Sequence, residues 1–225
     1  QDSNYKDIIY INSHRGSLEK SDAVIKGYIT FMDKASMLVA RLVNPQPGER
    51  VLDCCAAPGG KSMYMAALMD NTGSLMSCDI HEHKIALMES NAQRLGISIV
   101  QTKVQDATEL PSAWKSYFDR VLVDAPCSGL GILQKKLDMR WRKDESTLSE
   151  LPPLQLAILE RASMTVKETG YLVYSTCTLN YKENEDVVEA FLQKHKEFSI
   201  VPVGTDFPLK SNNGMITTYP PTDDM

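Results

Sequence analysis

The 225-residue chain reads as an α/β protein, a mostly parallel, twisted sheet with helices on both faces. Three observations predict this. Short apolar runs of strand character recur between residues 50 and 176, stretches with helical apolar spacing separate them, and acidic residues stand at or just beyond the ends of several runs. Strand–helix alternation at this spacing builds βαβ units, whose crossovers cover both faces of a parallel sheet.

Residues 1–33 contain two short apolar patches, DIIYI and YITFM, and read as a few strands without a core of their own. They are expected to be the remnant of an upstream subdomain, with 34–225 as the main domain. Residues 34–43 carry helical spacing (Met37, Leu38, Ala40, Leu42) and stop before PQPG, a turn signal. The buried-strand runs are RVLDCC (50–55), SLMSCD (74–79), SIVQTKV (98–104), RVLVDAP (120–126) and GYLVYST (170–176). Helices are predicted over 60–69, over 82–95 with Ile85, Met88, Ala92 and Leu95 on one face, and over about 150–168. A last helix over about 183–195 leads to FSIVPV (198–203). The final TTYPPTDDM is a poor place for a domain to stop, so the C-terminal end is expected to be incomplete.

At 43% hydrophobic and 24% charged residues, the chain can bury one sizeable core. No apolar run approaches the roughly 18 residues a membrane helix needs, and the opening QDSNYKDIIY lacks a signal-peptide profile. Five cysteines without a CxxC pair suit neither a disulfide framework nor a zinc cluster. Reduced thiols in a cytoplasmic setting, with no metal and no membrane partner, are the expectation. A net charge of −5 argues against a nucleic-acid partner at first, but a polyanion is bound by local basic surface. KKLDMRWRK (135–143) offers such a surface, with Trp141 among its five cations. Taken alone, that segment is more often a solvated loop.

VLDCCAAPGGKS (51–62) follows a buried strand and opens a helix. Gly59 and Gly60 allow close backbone approach to a ligand, and Pro58 fixes the turn before them. Asp79 ends the next strand, placed for two ribose hydroxyls; Asp106 follows the third strand and Asp124 ends the fourth. Each aspartate alone is more often a cap or turn residue, but three at successive strand ends face one crevice. GxGxxG is absent, which removes support for a nicotinamide cofactor. Cys55 stands where the Walker motif needs its first glycine, so a nucleotide triphosphatase is disfavoured as well. S-adenosylmethionine, cationic and rich in hydroxyl and amino groups, fits with its ribose on Asp79, adenine amine on Asp106 and ammonium on Asp124.

Two cysteines share that rim, Cys127 in DAPCSG and Cys177 in YSTCTLN. A buried cysteine is usually inert, and activation of a thiol requires an electropositive, partly exposed setting. Lys61 and the basic 135–143 segment are candidates to supply it. A thiolate added to carbon 6 of cytosine makes carbon 5 nucleophilic enough to take a methyl group from a sulfonium. Removal of the carbon-5 proton then lets the thiol leave. The chemistry needs one thiolate and benefits from a second polar group.

VLDCCAAPGGKS, DAPCSGLG and YSTCTLNYKENE resemble the signature motifs of the Nol/Nop/Sun (Fmu-type) RNA cytosine-5 methyltransferases, most nearly the bacterial branch acting on 16S ribosomal RNA. The likeness runs from about Gly27 onward and includes ITFMDKASMLVARLV. It implies a Rossmann-like S-adenosylmethionine methyltransferase fold and RNA as partner; the oligomeric state is left open by the sequence, with a monomer as the expectation. It also implies Cys177 as nucleophile, Cys127 assisting product release, and Asp124 contacting the cytosine. The cofactor set it implies is Cys55, Ala56, Ala57, Pro58, Gly59, Gly60, Lys61, Asp79, Asp106 and Asp124. DNA cytosine methyltransferases use the cysteine of their PC motif, so the resemblance reverses the choice DAPCSG alone would favour. Ser62 and Leu137 depart from the family's usual threonine and proline, and neither its upstream helical RNA-binding domain nor its closing glycine- and aromatic-rich segment is visible. Two rivals remain at this level: a transfer-RNA substrate, and a non-catalytic ribosome-assembly factor.

His81 and His83 point to different faces and read as surface residues rather than a metal pair. Met63, Met65 and Met69 read as core filler. Glu183, Asn184 and Glu185 read as a helix start and are assigned no chemistry.

Overall fold

The structure is a computed structural model, and it describes residues 2, 5–11, 13, 16–132, 145–204, 207, 209, 211, 212 and 214–219. The basic 135–143 segment, with Trp141 and Leu137, lies outside the described residues.

Five strands form one parallel sheet among these residues: β1 (Arg50–Asp53), β2 (Ser74–Asp79), β3 (Val100–Val104), β4 (Phe118–Asp124) and β5 (Val166–Ser175). Their spatial order is β3-β2-β1-β4-β5. The order reverses between β1 and β4, and in such sheets ligands bind beyond the strands' carboxyl ends at that switch point. The helices are α1 (Asp22–Ile25), α2 (Lys34–Val43), α3 (Gly60–Leu68), α4 (Glu82–Leu95), α5 (Glu145–Ser163) and α6 (Glu185–Lys194).

Burial on both sheet faces explains why the central strands β1, β2 and β4 read as near-continuous apolar runs. The edge strands β3 and β5, expected to be buried, are half-exposed because each has a neighbour on one side only. On one side Leu52, Val121 and Val123 pack with Ile158, Leu159 and Ala162 of α5 and Phe191 of α6. On the other, Val51, Leu75 and Leu122 meet Ala40 and Val43 of α2 and Met65, Ala66 and Met69. A third cluster joins Met63 of α3 to Ile85, Met88 and Ala92 of α4. All three methionines at 63, 65 and 69 are buried, as core filler should be.

Two expectations need correction. The predicted 150–168 helix is shifted: α5 begins at Glu145, carries Pro152 and Pro153 inside it, and ends at Ser163. Its end is set by capping and by the sheet, because the Thr165 hydroxyl donates to Ala162 O at 2.7 Å while Met164 O accepts from Ser116 N–H. The chain then enters β5 at Val166, four residues earlier than the apolar run indicated, with a register shift opposite Phe118 and Arg120. The N-terminal region, read as strands, holds instead a 3-10 turn at Leu18–Lys20 and the short α1. It still docks on the domain: Ile8 is buried, Asp7 bonds Tyr64 and Arg41, and Arg94 reaches Val24 O at 2.8 Å.

Candidate active site

The first wall of the site is the turn between β1 and α3. Gly59, the cap residue of α3, has φ of 100°, a left-handed conformation that glycine adopts without the Cβ penalty. A Cβ there would also stand 2.9 Å from Met88 Cγ. The turn is fastened to β2: Ala56 N–H donates to Cys78 O at 2.7 Å, and Ala57 N–H to Asp79 Oδ2 at 3.3 Å. The other Asp79 oxygen accepts from His81 N–H at 2.9 Å. Asp106 lies just past β3, where its Oδ1 accepts the Thr108 N–H and hydroxyl. Those donations hold its carboxyl below the usual range. Asp79, Asp106 and Asp124 thus stand at or just beyond three successive strand ends, as the sequence predicts.

Beneath this wall lies a residue that sequence reasoning passed over. Asp53 ends β1 and is 1% exposed. Its Oδ2 accepts from the Ser62 hydroxyl at 2.7 Å, which in turn accepts from Ser77 at 2.9 Å, whereas Oδ1 has no full hydrogen bond among the described residues. Burial pushes the Asp53 carboxyl up to about 7 against the pull of that bond. The available signal was the repeated acid at a strand end, obscured because 50–55 was read as one strand.

The second wall comes from β4 and β5. Asp124 accepts from Lys61 Nζ at 2.7 Å on one oxygen and from the Ser175 hydroxyl at 2.7 Å on the other. Burial, the largest single influence, would lower the Lys61 pKa, but the charge and hydrogen bond of Asp124 together with the charges of Asp53 and Cys177 outweigh it, and the ammonium is held above its ordinary value. Just past these strand ends, the sulfurs of Cys127 and Cys177 lie 3.1 Å apart, and Cys177 N–H donates to Cys127 Sγ at 3.2 Å. Both are free thiols. The Cys127 thiol donating to Cys177 brings the latter's pKa down to about 7; partial enclosure and Asp124 oppose this, and Lys61 assists. Cys127, as the proton holder, is pushed well up by the same bond and by burial. Cys54 and Cys78 are buried and Cys55 lies at the loop's start; burial raises all three, Cys78 to about 12. Thiols raised in this way are poor nucleophiles near neutral pH. Gly131 closes the wall: its N–H donates to Cys177 O at 3.0 Å, and a Cβ there would stand 2.9 Å from that oxygen.

Sequence reasoning also missed the support behind the cysteines. Glu183, read only as a helix start, is fully buried and bonded to Ser128, Gln155 and Asn180. Burial of a glutamate is not visible in periodicity, because it depends on donors from three separate segments. Among the described residues no grouping of His, Cys, Asp or Glu suits a metal ion, and no helix is long and apolar enough to cross a membrane. His81 and His83 are on the surface as expected, but their rings lie side by side, 5.6 Å apart, rather than on different faces.

Taken together, an acid-lined switch point and a paired-thiol rim on a Rossmann-like sheet define the class: a methyltransferase-type α/β domain with a candidate cysteine nucleophile. Residues 40–225 match the 16S rRNA methyltransferase RsmB/F family, and the chain belongs to that family. It is 43% identical over 185 residues to the probable ribosomal RNA small subunit methyltransferase B of Bacillus subtilis (strain 168), covering 82% of this chain and 41% of that protein. Identity to the human 28S rRNA (cytosine(4447)-C(5))-methyltransferase is 38%, over 81% of this chain and 23% of the relative. Among solved structures, the crystal structure of PH0851 superposes with a TM-score of 0.88 at 33% identity, over 94% of this chain and 48% of that one. NSun6 from Pyrococcus horikoshii, solved with SFG, gives a TM-score of 0.79 at 31% identity over 90% and 51% of the two chains. The chain therefore spans about half the length of these structures and less of the curated relatives.

Proposed function

We propose that the chain carries the catalytic domain of an S-adenosylmethionine-dependent RNA cytosine-5 methyltransferase, acting on small-subunit ribosomal RNA through a covalent Cys177–cytosine adduct. The observation that carries the reading is the thiol pair, 3.1 Å apart beside the Lys61–Asp124 ion pair. Ribosomal RNA as substrate is supported by the names of the bacterial and human relatives.

The residues present fit the methyl donor. Carboxylates of Asp79, Asp106 and Asp124 suit a ligand with hydroxyl, amino and ammonium groups, and the glycine-lined turn from Cys55 to Lys61 leaves open space at Gly60 for its approach. SFG, bound in the NSun6 structure, is an analogue of that donor. When bound, S-adenosylmethionine supplies an electrophilic methyl group. Cys177, as thiolate, attacks carbon 6 of the base, and the carbon 5–carbon 6 π pair becomes available at carbon 5 to accept the methyl. A proton acceptor from solvent takes the carbon-5 proton; the C–H electron pair restores the double bond as the carbon 6–sulfur bond breaks and the sulfur leaves as thiolate. Cys127, in contact with the departing sulfur, assists that release, and Asp124 holds the base. The target cytosine must leave its stack, at about a few kcal/mol when paired. Residues 1–33 are read as the end of an upstream subdomain and 34–225 as the catalytic domain, in a cytoplasmic setting consistent with free thiols.

Cys177→Ala abolishes methyl transfer to ribosomal RNA transcripts, whereas Cys127→Ala accumulates a covalent RNA–protein adduct seen as a retarded gel band. Wild-type turnover by Cys177→Ala would overturn the assignment, and label transfer to transfer RNA alone would move the substrate.

A further inference from the structure

We propose that Glu183 is a positioning residue for this reaction: its buried carboxylate clamps the Cys127 loop to the Cys177 loop and so sets the spacing of the two thiols. The inference rests on the reading of Cys177 as nucleophile. Glu183 Oε2 accepts from the N–H of Ser128, the residue after Cys127, at 2.8 Å. The same oxygen accepts from Gln155 Nε2 at 3.0 Å, and that amide nitrogen also donates to the carbonyl of Pro126, the residue before Cys127, at 2.9 Å. Cys127 is therefore bracketed on both sides by bonds that lead to one carboxylate.

The other oxygen faces the second loop. Glu183 Oε1 accepts from Asn180 Nδ2 at 3.0 Å, three residues past Cys177. Its backbone carbonyl accepts from the Tyr174 hydroxyl at 2.7 Å, tying the clamp to β5. The adjacent Asn184 brackets Cys177 in turn, accepting from the Thr176 hydroxyl at 2.6 Å and donating to Thr178 O at 3.0 Å. A direct strut joins the loops where the Ser128 and Thr178 hydroxyls meet at 2.7 Å.

A carboxylate suits this post for a geometric reason. Three donors converge on two acceptor oxygens, and a carboxamide has only one acceptor oxygen to offer them. Burying a carboxylate is costly unless it is fully hydrogen-bonded, which makes an idle glutamate here expensive. Among the described residues, the groups bearing on the Cys177 sulfur are Lys61 on α3, Asp124 on β4 and Cys127 on the following loop. Lys61 and Asp124 are anchored to each other by regular structure. Cys127 sits on irregular backbone, and its place depends on the clamp.

The test uses the full chain and reads thiol chemistry rather than turnover. Cys177 alkylation by iodoacetamide is followed by peptide mass spectrometry from pH 5.5 to 9.5 in wild type, Glu183→Gln and Gln155→Leu, with thermal melts alongside. In wild type, reactivity is half-maximal near pH 7. Glu183→Gln moves that midpoint toward the free-thiol value of about 8.5, so the rate at pH 7 falls about tenfold; Gln155→Leu moves it the same way by less. If Glu183→Gln lowers the melting temperature but leaves the profile on the wild-type curve, Glu183 merely stabilises the fold and the clamp is overturned. Should that variant fail to fold, an unshifted Gln155→Leu profile overturns the clamp equally. An ordinary thiol profile in wild type itself sinks the nucleophile reading and the clamp together.

Discussion

The two rim cysteines are alike in the sequence and unlike in their surroundings. With Cys127 as donor in the bond the two sulfurs share, and with Lys61 lending positive charge, the Cys177 pKa is drawn down to about 7. A thiolate nucleophile whose pKa is about 7 makes adduct formation rise with pH and level off above it. The expected single-turnover rate of RNA adduct formation is half-maximal near pH 7 and nearly flat above pH 8. Lys61→Met removes the stabilising cation and leaves Asp124 beside the sulfur, so its midpoint shifts upward, toward or beyond the free-thiol value. The measurement is adduct formation with saturating cofactor across pH 6–9; a midpoint unmoved in Lys61→Met would show that the ion pair does not govern Cys177. Lys61 itself stays charged throughout this range, since its pKa is raised.

At the scale of elements, each piece was legible to the extent that local signals set it. The strands β1 to β4 were read to within a few residues because each is a short apolar run closed by a turn or an acid, although β3, at the sheet edge, is half-exposed rather than buried as the run suggested. α4 was read residue for residue, since one apolar face and Gly96 at its end both mark it. α5 was misplaced because Thr165 and the sheet, not propensity, decide where it stops. The N-terminal segment was misread because its apolar residues, Ile8 apart, build no core: Ile9, Ile11, Ile25, Tyr28 and Phe31 stay exposed, and the segment is held by Asp7 on Tyr64 and Arg41 and by Arg94 on Val24 O. Its attachment makes a test. Gly27 has φ of 75°, and a Cβ there would stand 1.8 Å from the Arg94 carbonyl oxygen. Gly27→Ala therefore pays both a left-handed penalty of roughly 1–2 kcal/mol and a backbone clash. The segment should lift from α4 while the sheet persists. Limited proteolysis would then cut within residues 16–33 at least several-fold faster than in wild type, leaving a stable core. Equal cleavage rates would mean the segment is not held through this contact.

Across the whole molecule, the sheet's switch point concentrates acids, and one of them is held away from water. Asp53 anchors a chain of hydroxyls that crosses three elements, from Ser77 on β2 through Ser62 on α3 to the end of β1. Its carboxyl is raised to about 7, chiefly by burial, whereas the unfolded chain ionises it near 3.9. Between those values the folded state binds the extra proton, so the Asp53 contribution to stability falls as pH rises from about 4 to about 7 and is constant above. The loss amounts to a few kcal/mol at most, on the scale of about 1.4 kcal/mol per tenfold change. Asp106, Asp119 and Glu183 run the other way: their lowered pKa values stabilise the fold above the ordinary carboxylate range and fail on acidification. A wild-type pH curve mixes both trends, so the difference from Asp53→Asn is the informative quantity. Asparagine keeps an acceptor for Ser62 and cannot ionise. Urea midpoints at pH 5 and pH 8 should therefore favour Asp53→Asn over wild type increasingly at the higher pH, with the other acids cancelling. Parallel behaviour of the two proteins would mean that Asp53 ionises without cost, because a partner on its second oxygen compensates the buried charge.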